Sequence, residues 1–232
     1  MSGRDAMRDP VLVTGGASGL GAAVVRALAR ADRPAVVLDR HPAPHASDGE
    51  CVDLGDTDAA ERATLRLIER HGGVSAVVTA AGTDSCGALA DVARRDWERV
   101  VAVNLLGTAA VIRAALPALL AAGGRIVTVA STLGLRAVGD ATAYCASKFG
   151  VVGFTRALAT ELAGRVGVTL LVPGGMQTAF FDGRPEKYRP PADARLASPE
   201  AVAAAVMVVL AQPPDLEVRE LVVCPPTESS WP

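Results

Sequence analysis

The feature that most constrains this chain is a regular alternation between short, β-branched apolar runs and longer stretches of helical character. Runs that are apolar almost throughout are typical of parallel strands buried on both faces, and strands that alternate with helices predict βαβ units. Such units build a doubly wound parallel sheet with right-handed crossovers, so we predict an α/β fold of three layers with about seven strands. Strands are expected at 11–14, 35–39, 76–80, 125–130, 168–172 and 220–224, with a short one before Asp53, and helices near 19–31, 57–71, 97–121, 143–163 and 198–211.

The bulk composition disfavours several classes of function. The chain has 232 residues, of which 50% are hydrophobic and 3% aromatic, and its formal net charge is -2. This length fits one large α/β domain, and we predict a single domain over 1–232. The charge balance gives no electrostatic footprint for nucleic acid or an anionic membrane, and so few aromatics disfavour base stacking.

Targeting and metal-binding patterns are also absent from the sequence. No uninterrupted apolar run reaches the roughly 18 residues of a membrane span, and no apolar signal-peptide core follows the polar N-terminus. The four cysteines are scattered without a CxxC pair, and the three histidines lie in or beside predicted loops. We therefore predict no metal site, no membrane association and a cytoplasmic protein with reduced thiols.

One polar segment, 178–200, is rich in Pro, Asp and Arg yet carries Phe180, Phe181 and Tyr188. Aromatic anchors in a polar loop suit a mobile lid over a site, and an ordinary surface excursion fits the composition equally well. Ser198 followed by Pro199 predicts the N-cap and first position of the next helix.

The first strand runs directly into a glycine-rich turn, GGASGLG (15–21), and then into a helix. Glycine permits a tight turn and lets the backbone approach a pyrophosphate, and the helix offers free N–H groups and its positive end to that anion. A strand, a glycine turn and a helix in this order predict a dinucleotide site.

The spacing Thr-Gly-x-x-x-Gly-x-Gly resembles that of the classical short-chain dehydrogenase/reductase family, and the resemblance extends over nearly the whole chain. It implies a Rossmann-type fold that binds NAD or NADP. In this loop the expected cofactor contacts are Thr14, Gly15, Ser18, Gly19, Leu20 and Gly21.

The end of the second strand bears on the choice between NAD and NADP. The Asp39 carboxylate can accept hydrogen bonds from the adenosine ribose and would repel a 2′-phosphate, which favours NAD. Arg40 follows directly and could instead pair with that phosphate. NADP-preferring relatives tend to carry a basic residue before the second motif glycine, where this chain has Ser18. We favour NAD and keep NADP as the alternative, and Asp39 as a mere strand-end turn residue stays open.

Two further segments match the family's cofactor site. The resemblance implies that Asp53, followed by Leu54, contacts the adenine edge. TAAG (79–82) stands where the family has Asn-Asn-Ala-Gly, so Ala80, Ala81 and Gly82 are expected beside the cofactor. Thr79 and Ala80 replace the two asparagines, and the side-chain amides that tie the central strand to its neighbours are lost.

The stretch AYCASKFG (143–150) places Tyr144 four residues before Lys148, on one face of a helix. Taken alone, such a pair is more often an ordinary surface pair. Here Ser131 ends the fifth strand thirteen residues before Tyr144, and Asn104 lies in the preceding long helix. The resemblance implies that these four residues form a catalytic tetrad.

The chemistry explains why such a tetrad suits alcohol oxidation. Removing the hydroxyl proton needs a base, and a phenol with a pKa of about 10 is too weakly ionised at neutral pH. A nearby ammonium lowers that pKa, so Lys148 is expected to tune Tyr144, the acid/base, while Ser131 is expected to hydrogen-bond the substrate oxygen. The resemblance further implies that Lys148 binds the nicotinamide ribose and that Asn104 orients a water that relays protons.

The segment VPGGMQT (172–178) matches the family's Pro-Gly-x-x-x-Thr through Pro173, Gly174 and Thr178. The resemblance implies that these residues contact the nicotinamide carboxamide. A mainly apolar substrate pocket is expected, into which basic side chains of the 178–200 segment could still turn. Its predicted lining is Leu133, Met176, Phe180, Phe181 and Tyr188, and the basic side chains are Arg184, Lys187 and Arg189.

Taken together, the sequence predicts an NAD(P)-dependent oxidoreductase that interconverts a secondary alcohol and a ketone, acting on a small-molecule alcohol or carbonyl substrate. The alternatives are an NADPH-preferring ketoreductase of the same fold, and a nucleotide-sensing or interaction protein without turnover. The C-terminus lacks the glycine-rich ending of many family members, so a homodimer through the helices at 97–121 and 143–163 is favoured over a homotetramer.

Overall fold

A computed structural model describes residues 9–228, 230 and 231. In this part of the chain seven parallel strands form one sheet in the order β3-β2-β1-β4-β5-β6-β7. The predicted doubly wound α/β fold is confirmed. The strands are β1 (Val11–Thr14), β2 (Ala35–Asp39), β3 (Asp48–Cys51), β4 (Ala76–Thr79), β5 (Arg125–Val129), β6 (Gly167–Pro173) and β7 (Glu220–Val223).

The winding of the sheet reverses at its centre. β1 pairs in parallel with β2 on one side and with β4 on the other. The connections that leave the carboxyl ends of β1 and β4 therefore run to opposite sides, which opens a crevice between them. Any site in this fold is expected at that edge.

Two layers of helices cover the sheet because each presents an apolar stripe to it. α1 and α6 pack on one face around Val24, Leu28 and Val206, while α2, α4 and α5 pack on the other around Leu67 and Leu119. The helices are α1 (Gly19–Arg30), α2 (Thr57–His71), α3 (Arg94–Val101), α4 (Thr108–Ala122), α5 (Thr142–Glu161) and α6 (Pro199–Leu210). Ser198 caps α6 by accepting from the Ala201 N–H at 3.2 Å, as its sequence predicts.

The helix predicted near 97–121 is present as a continuous helix from Arg94 to Ala122, but its middle is not α-helical. α3 and α4 are joined by a π-helical segment, Ala102–Gly107, which contains Asn104. Such segments occur mostly as single turns inside α-helices and are frequent at functional sites. Gly107 makes the close packing possible here, since a Cβ on it would lie 2.5 Å from the Leu54 carbonyl oxygen. The spacing of apolar residues does not predict this segment, because a single π-helical turn hardly changes the helical pattern around it.

Among the described residues, one helix is long and apolar enough by length and composition to cross a membrane, namely the continuous helix Arg94–Ala122. Its second half, α4, packs against α2, and its first half packs against α5. This is the position of a core helix in the layer on one face of the sheet.

Candidate active site

The carboxyl ends of the central strands border a cleft with a volume of about 1540 Å³. Sites for a single drug-sized ligand measure about 300–1,000 Å³, so this cleft has room for a dinucleotide and a substrate together. Most of the residues predicted for the site line it. They are Gly15, Ser18, Gly19, Leu20, Asp39, Arg40, Asp53, Leu54, Ala80, Ala81, Gly82, Ser131, Leu133, Tyr144, Lys148, Pro173, Gly174, Met176, Thr178, Phe180, Phe181 and Tyr188.

Thr14 and Gly21 do not line the cleft, and they shape the glycine loop from behind. The Thr14 hydroxyl accepts a hydrogen bond from the Ala81 N–H at 3.1 Å. Gly15 has a φ of 72°, and a Cβ there would lie 2.7 Å from the Ala81 Cα. The Gly15 carbonyl occupies the space of a Cβ on Gly21. These close approaches keep the N-terminus of α1 free of side chains, which is the cradle that a pyrophosphate needs.

Two carboxylates that line the cleft near the ends of β2 and β3, Asp39 and Asp53, are already hydrogen-bonded. Asp39 accepts from the backbone N–H groups of Ala17 and His41, each at 3.0 Å, and so ties the glycine loop to the end of β2. Asp53 pairs with Arg99 at 2.8 Å and accepts from the Gly55 N–H at 2.9 Å. Sequence reasoning missed Arg99, which reaches the cleft from α3.

The altered TAAG segment leaves one polar group without a partner. The Thr79 hydroxyl is buried and makes no hydrogen bond within the described part of the protein. Gly82, three residues on, faces the catalytic side chains, since a Cβ on it would lie 3.6 Å from Asn104 Oδ1 and 3.8 Å from Lys148 Nζ. The backbone of this segment therefore forms the cleft floor, and the missing amides are not replaced at Thr79.

Three of the four predicted tetrad residues meet at the cleft. The Ser131 hydroxyl at the end of β5 hydrogen-bonds the Tyr144 phenol. Lys148 Nζ lies 5.6 Å from the centre of the Tyr144 ring. It donates to the Val129 carbonyl at 2.9 Å, and the lysine is only 4% exposed. One turn of α5 thus presents the phenol and the ammonium side by side, as the spacing predicts.

Burial decides the ionisation of both groups in this structure. It raises the pKa of Tyr144 to about 12, while the hydrogen bond from Ser131 works in the opposite direction. It lowers the pKa of Lys148 to about 8. The groups that act to lower the Tyr144 pKa here are Ser131 and Arg184 rather than Lys148, and desolvation outweighs both. At neutral pH Tyr144 is a neutral phenol that can donate a proton.

Asn104 lies outside the cleft, with 1% of its surface exposed. Its side-chain oxygen accepts from the Thr83 N–H at 2.8 Å, and its amide nitrogen donates to the Thr83 carbonyl and the Ser147 hydroxyl, each at 2.9 Å. Both N–H groups of the amide thus donate to protein atoms. The amide fixes the loop after β4 against α5.

The part of the cleft beside Tyr144 combines aromatic rings with one largely buried ion pair. The Phe180 ring lies 5.6 Å from the Tyr144 ring. Arg184 stacks on both Phe180 and Phe181 at 4.8 Å and pairs with Asp84 at 2.7 Å. The side chains of this pair are 16% and 6% exposed. Of the basic side chains expected to turn inward, Arg184 does so, but its charge is already matched by Asp84.

Two hydrogen-bonded contacts hold the base and tip of the 178–200 segment. Its base is closed by the Gln177 N–H donating to the Ala197 carbonyl at 2.9 Å. At its tip the Tyr188 hydroxyl donates to the Asp140 carboxylate at 2.8 Å. The segment therefore lies across the cleft mouth beside Tyr144.

The C-terminal tail also lines the cleft, which sequence reasoning missed. The Glu228 carboxylate accepts from the Gly175 N–H at 2.8 Å, and the hydroxyls of Ser230 and Thr132 lie 2.7 Å apart. The chain reaches this position because a turn after β7 brings the Glu228 N–H to the Pro225 carbonyl at 3.0 Å. The Pro-Pro pair at 225–226 signals a turn but not its direction.

Comparison with known proteins agrees with this geometry. The family model described as short chain dehydrogenase matches residues 9–189. The chain is 34% identical over 190 residues to D-beta-hydroxybutyrate dehydrogenase of Cupriavidus necator, covering 75% of this chain and 73% of that protein. It is 29% identical over 215 residues to the 3-oxoacyl-acyl-carrier-protein reductase FabG of Thermotoga maritima, covering 84% and 87%.

A solved structure shares the fold. The alcohol dehydrogenase of the archaeon Thermococcus sibiricus, complexed with 5-hydroxy-NADP, superposes with a TM-score of 0.82 at 25% identity, covering 92% of this chain and 95% of that one. The family match extends over the glycine loop and the residues around Tyr144 and Lys148. The chain therefore belongs to the short-chain dehydrogenase family and is an oxidoreductase that acts on CH–OH and C=O groups.

Proposed function

We propose that this enzyme interconverts a secondary alcohol and a ketone, with Tyr144 as the general acid and base. The observation that carries the proposal is the meeting of Tyr144, Ser131 and Lys148 at the cleft, beside the glycine loop. When bound, the nicotinamide cofactor would accept or supply the hydride. The protein's part is to orient the reacting oxygen and to move its proton.

Each of the three residues has a role that its surroundings support. The neutral Tyr144 phenol would give its proton to a carbonyl oxygen, and the Ser131 hydroxyl beside it would hydrogen-bond the same oxygen. Lys148, with a pKa of about 8, can release or take up a proton near neutral pH and so reload the phenol. A protonated phenol at pH 7 is the form that carbonyl reduction requires.

Replacing the phenol tests this mechanism directly. Tyr144→Phe should lower turnover at least about a hundredfold, the lower scale of general acid–base catalysis, while the cofactor still binds. Tyr188→Phe is the matched control, because it also removes one phenol that faces the cleft mouth. Turnover should be measured on a panel of ketones and secondary alcohols, with cofactor affinity followed in parallel. Near-normal turnover of Tyr144→Phe would remove the mechanism.

We further propose that NAD is preferred to NADP. Asp39 lines the cleft at the end of β2, and its two hydrogen bonds to backbone N–H groups fix the carboxylate there. A fixed negative charge would repel a 2′-phosphate. Arg40 also lines the cleft and is exposed. Its guanidinium could therefore pair with a 2′-phosphate, and this observation supports the NADPH-preferring alternative.

Asp39→Asn tests the preference better than Asp39→Ala does. Asparagine keeps an oxygen that can accept from the Ala17 N–H and so preserves the loop, but it removes the charge. The ratio of the dissociation constants of NADPH and NADH should fall in this variant. Arg40→Gln is the partner variant and should raise that ratio. If Asp39→Asn leaves it unchanged, Asp39 does not read the ribose.

Further proposals concern the domain extent, the lid, the substrate class and the oligomeric state. We propose one catalytic domain over 1–232 in which 178–200 is a lid, since Arg184 and Tyr188 attach it to the opposite wall of the cleft. The aromatic wall and the paired state of Arg184 suit an uncharged small-molecule substrate with an apolar body. A cytoplasmic homodimer through the α3–α4 helix and α5 is proposed with it. Cofactor binding without turnover on any substrate would favour the non-catalytic alternative.

A further inference from the structure

The C-terminal tail places a carboxylate against the segment that carries the Pro-Gly motif. Glu228 Oε2 accepts from the Gly175 N–H at 2.8 Å, and it occupies the space that a Cβ on Gly174 would need. A side chain at Gly174 is therefore incompatible with the observed position of Glu228. Both Gly174 and Glu228 line the cleft.

All the hydrogen-bond partners of this carboxylate in the described chain are neutral. Besides Gly175, they are the backbone N–H of Ser230 at 3.2 Å and its hydroxyl at 2.7 Å. Burial alone would raise the pKa of Glu228, but the hydrogen bonds from Ser230 and Gly175 outweigh it and hold the pKa below its usual value. The group is thus ionised at neutral pH. In contrast, the Asp84 carboxylate in the same cleft is matched by Arg184.

We infer that Glu228 makes the site discriminate between the two redox forms of the nicotinamide, holding the oxidised form more tightly relative to the reduced one. The inference rests on the proposed function, in which the segment from Pro173 to Thr178 holds the nicotinamide. The oxidised ring carries a positive charge that the reduced ring lacks. A carboxylate without a cationic partner at that end therefore attracts only one of the two forms.

The test is the ratio of the dissociation constants of the reduced and oxidised cofactor, measured by calorimetry with NAD or NADP, whichever binds the unmodified protein more tightly. Glu228→Gln should lower this ratio by about three- to tenfold, because the attraction to the oxidised form is lost in a partly screened site. A mere loosening of the Gly175 loop would weaken both forms alike and leave the ratio unchanged.

Glu217→Gln is the matched control. Glu217 also accepts from a backbone N–H, that of Val168 at 2.6 Å, but it pairs with Arg219 at 2.9 Å and lies at the amino end of β6, away from the cleft. The ratio should stay at its original value in this variant. A second test variant, Thr227→Lys, leaves Glu228 and its contacts in place and adds a cation beside it on the cleft wall. It should shift the ratio in the same direction as Glu228→Gln.

The possible outcomes distinguish failure of the inference about Glu228 from failure of the proposed function. A lower ratio in Glu228→Gln, with no change of the ratio in Glu217→Gln, supports the inference. An unchanged ratio in Glu228→Gln overturns the inference and leaves the proposed function standing. If Glu228→Gln binds neither form, Thr227→Lys takes its place: a lower ratio in that variant supports the inference, and an unchanged ratio overturns it. An unmodified protein that binds neither redox form would overturn the proposed function and the inference with it.

Discussion

The substitution Thr79→Val should stabilise the unliganded enzyme, and the structure supplies its control on the next strand. Thr79 and Thr128 are register partners on β4 and β5, and both side chains are buried. The Thr79 hydroxyl has no partner in the described chain, whereas the Thr128 hydroxyl lies 2.7 Å from that of Thr155 and 3.3 Å from the Thr169 carbonyl. The two sites share their residue type and strand environment and differ in hydrogen bonding.

The magnitudes follow from that difference. Leaving a buried hydroxyl unpaired costs about 1–3 kcal/mol, and a satisfied hydrogen bond contributes about 1 kcal/mol. Thr79→Val should therefore raise the free energy of unfolding by about 1 kcal/mol, and Thr128→Val should lower it by a similar amount. For a chain of this length the two Tm values should then differ by about 4–8 °C, since 1 kcal/mol corresponds to about 2–4 °C.

The assay is thermal unfolding of both variants and the parent protein, without cofactor and at one pH and protein concentration, with urea unfolding as a check that the m-value is unchanged. The reasoning predicts that the Tm values lie on opposite sides of the parent value. If Thr79→Val destabilises the protein as much as Thr128→Val does, the Thr79 hydroxyl is satisfied, and the orphaned group at the altered TAAG segment does not exist.

Two further predictions concern Lys148 and the lid. Because burial lowers the pKa of Lys148 to about 8 from an ordinary 10.5, the unfolded chain binds more protons between these values, so stability rises with pH there. Lys148→Met should thus raise the free energy of unfolding at pH 7 by about 1 kcal/mol or more, and unfolding curves at several pH values should show this gain shrinking towards pH 10.5. Asp84→Asn breaks the pair with Arg184 and should speed tryptic cleavage at Lys187 severalfold, since loss of one partner leaves a buried charge unmatched. Asp182→Asn, in the same segment, should leave the cleavage rate near its original value, and equal rates in both variants would show that the Asp84–Arg184 pair does not hold the 178–200 segment in place.

The sheet could be predicted from the sequence because its physical cause is local. Strands buried on both faces need apolar runs such as 11–14 and 76–79, and those runs are visible without knowledge of any contact. The glycine loop is local in the same sense, since Gly15 and Gly21 are required by the turn itself. The pairing of Tyr144 with Lys148 follows from the helical repeat.

The remaining features of the site depend on contacts between distant residues. Arg184 meets Asp84 across 100 positions, and Ser230 meets Thr132 across 98. No periodicity links such residues, because each pair forms only when separate loops leave the same edge of the sheet. The π-helical turn at Asn104 escapes prediction for a related reason, since one additional residue in a turn does not disturb the apolar pattern around it.

The cost of burying Lys148 and its use in the mechanism have a single physical cause. Removing the ammonium from water lowers its pKa to about 8, and that loss of solvation destabilises the folded protein at neutral pH. The same shift brings the pKa close to neutral pH, where a proton can move on and off the amine with little free-energy change. The pKa of Tyr144 is shifted in the other direction, to about 12, so in the proposed mechanism its proton would stay in place until a substrate oxygen takes it. A lysine restored to full solvation would make the protein more stable and the relay less effective, which is the usual conflict between stability and activity at a catalytic site.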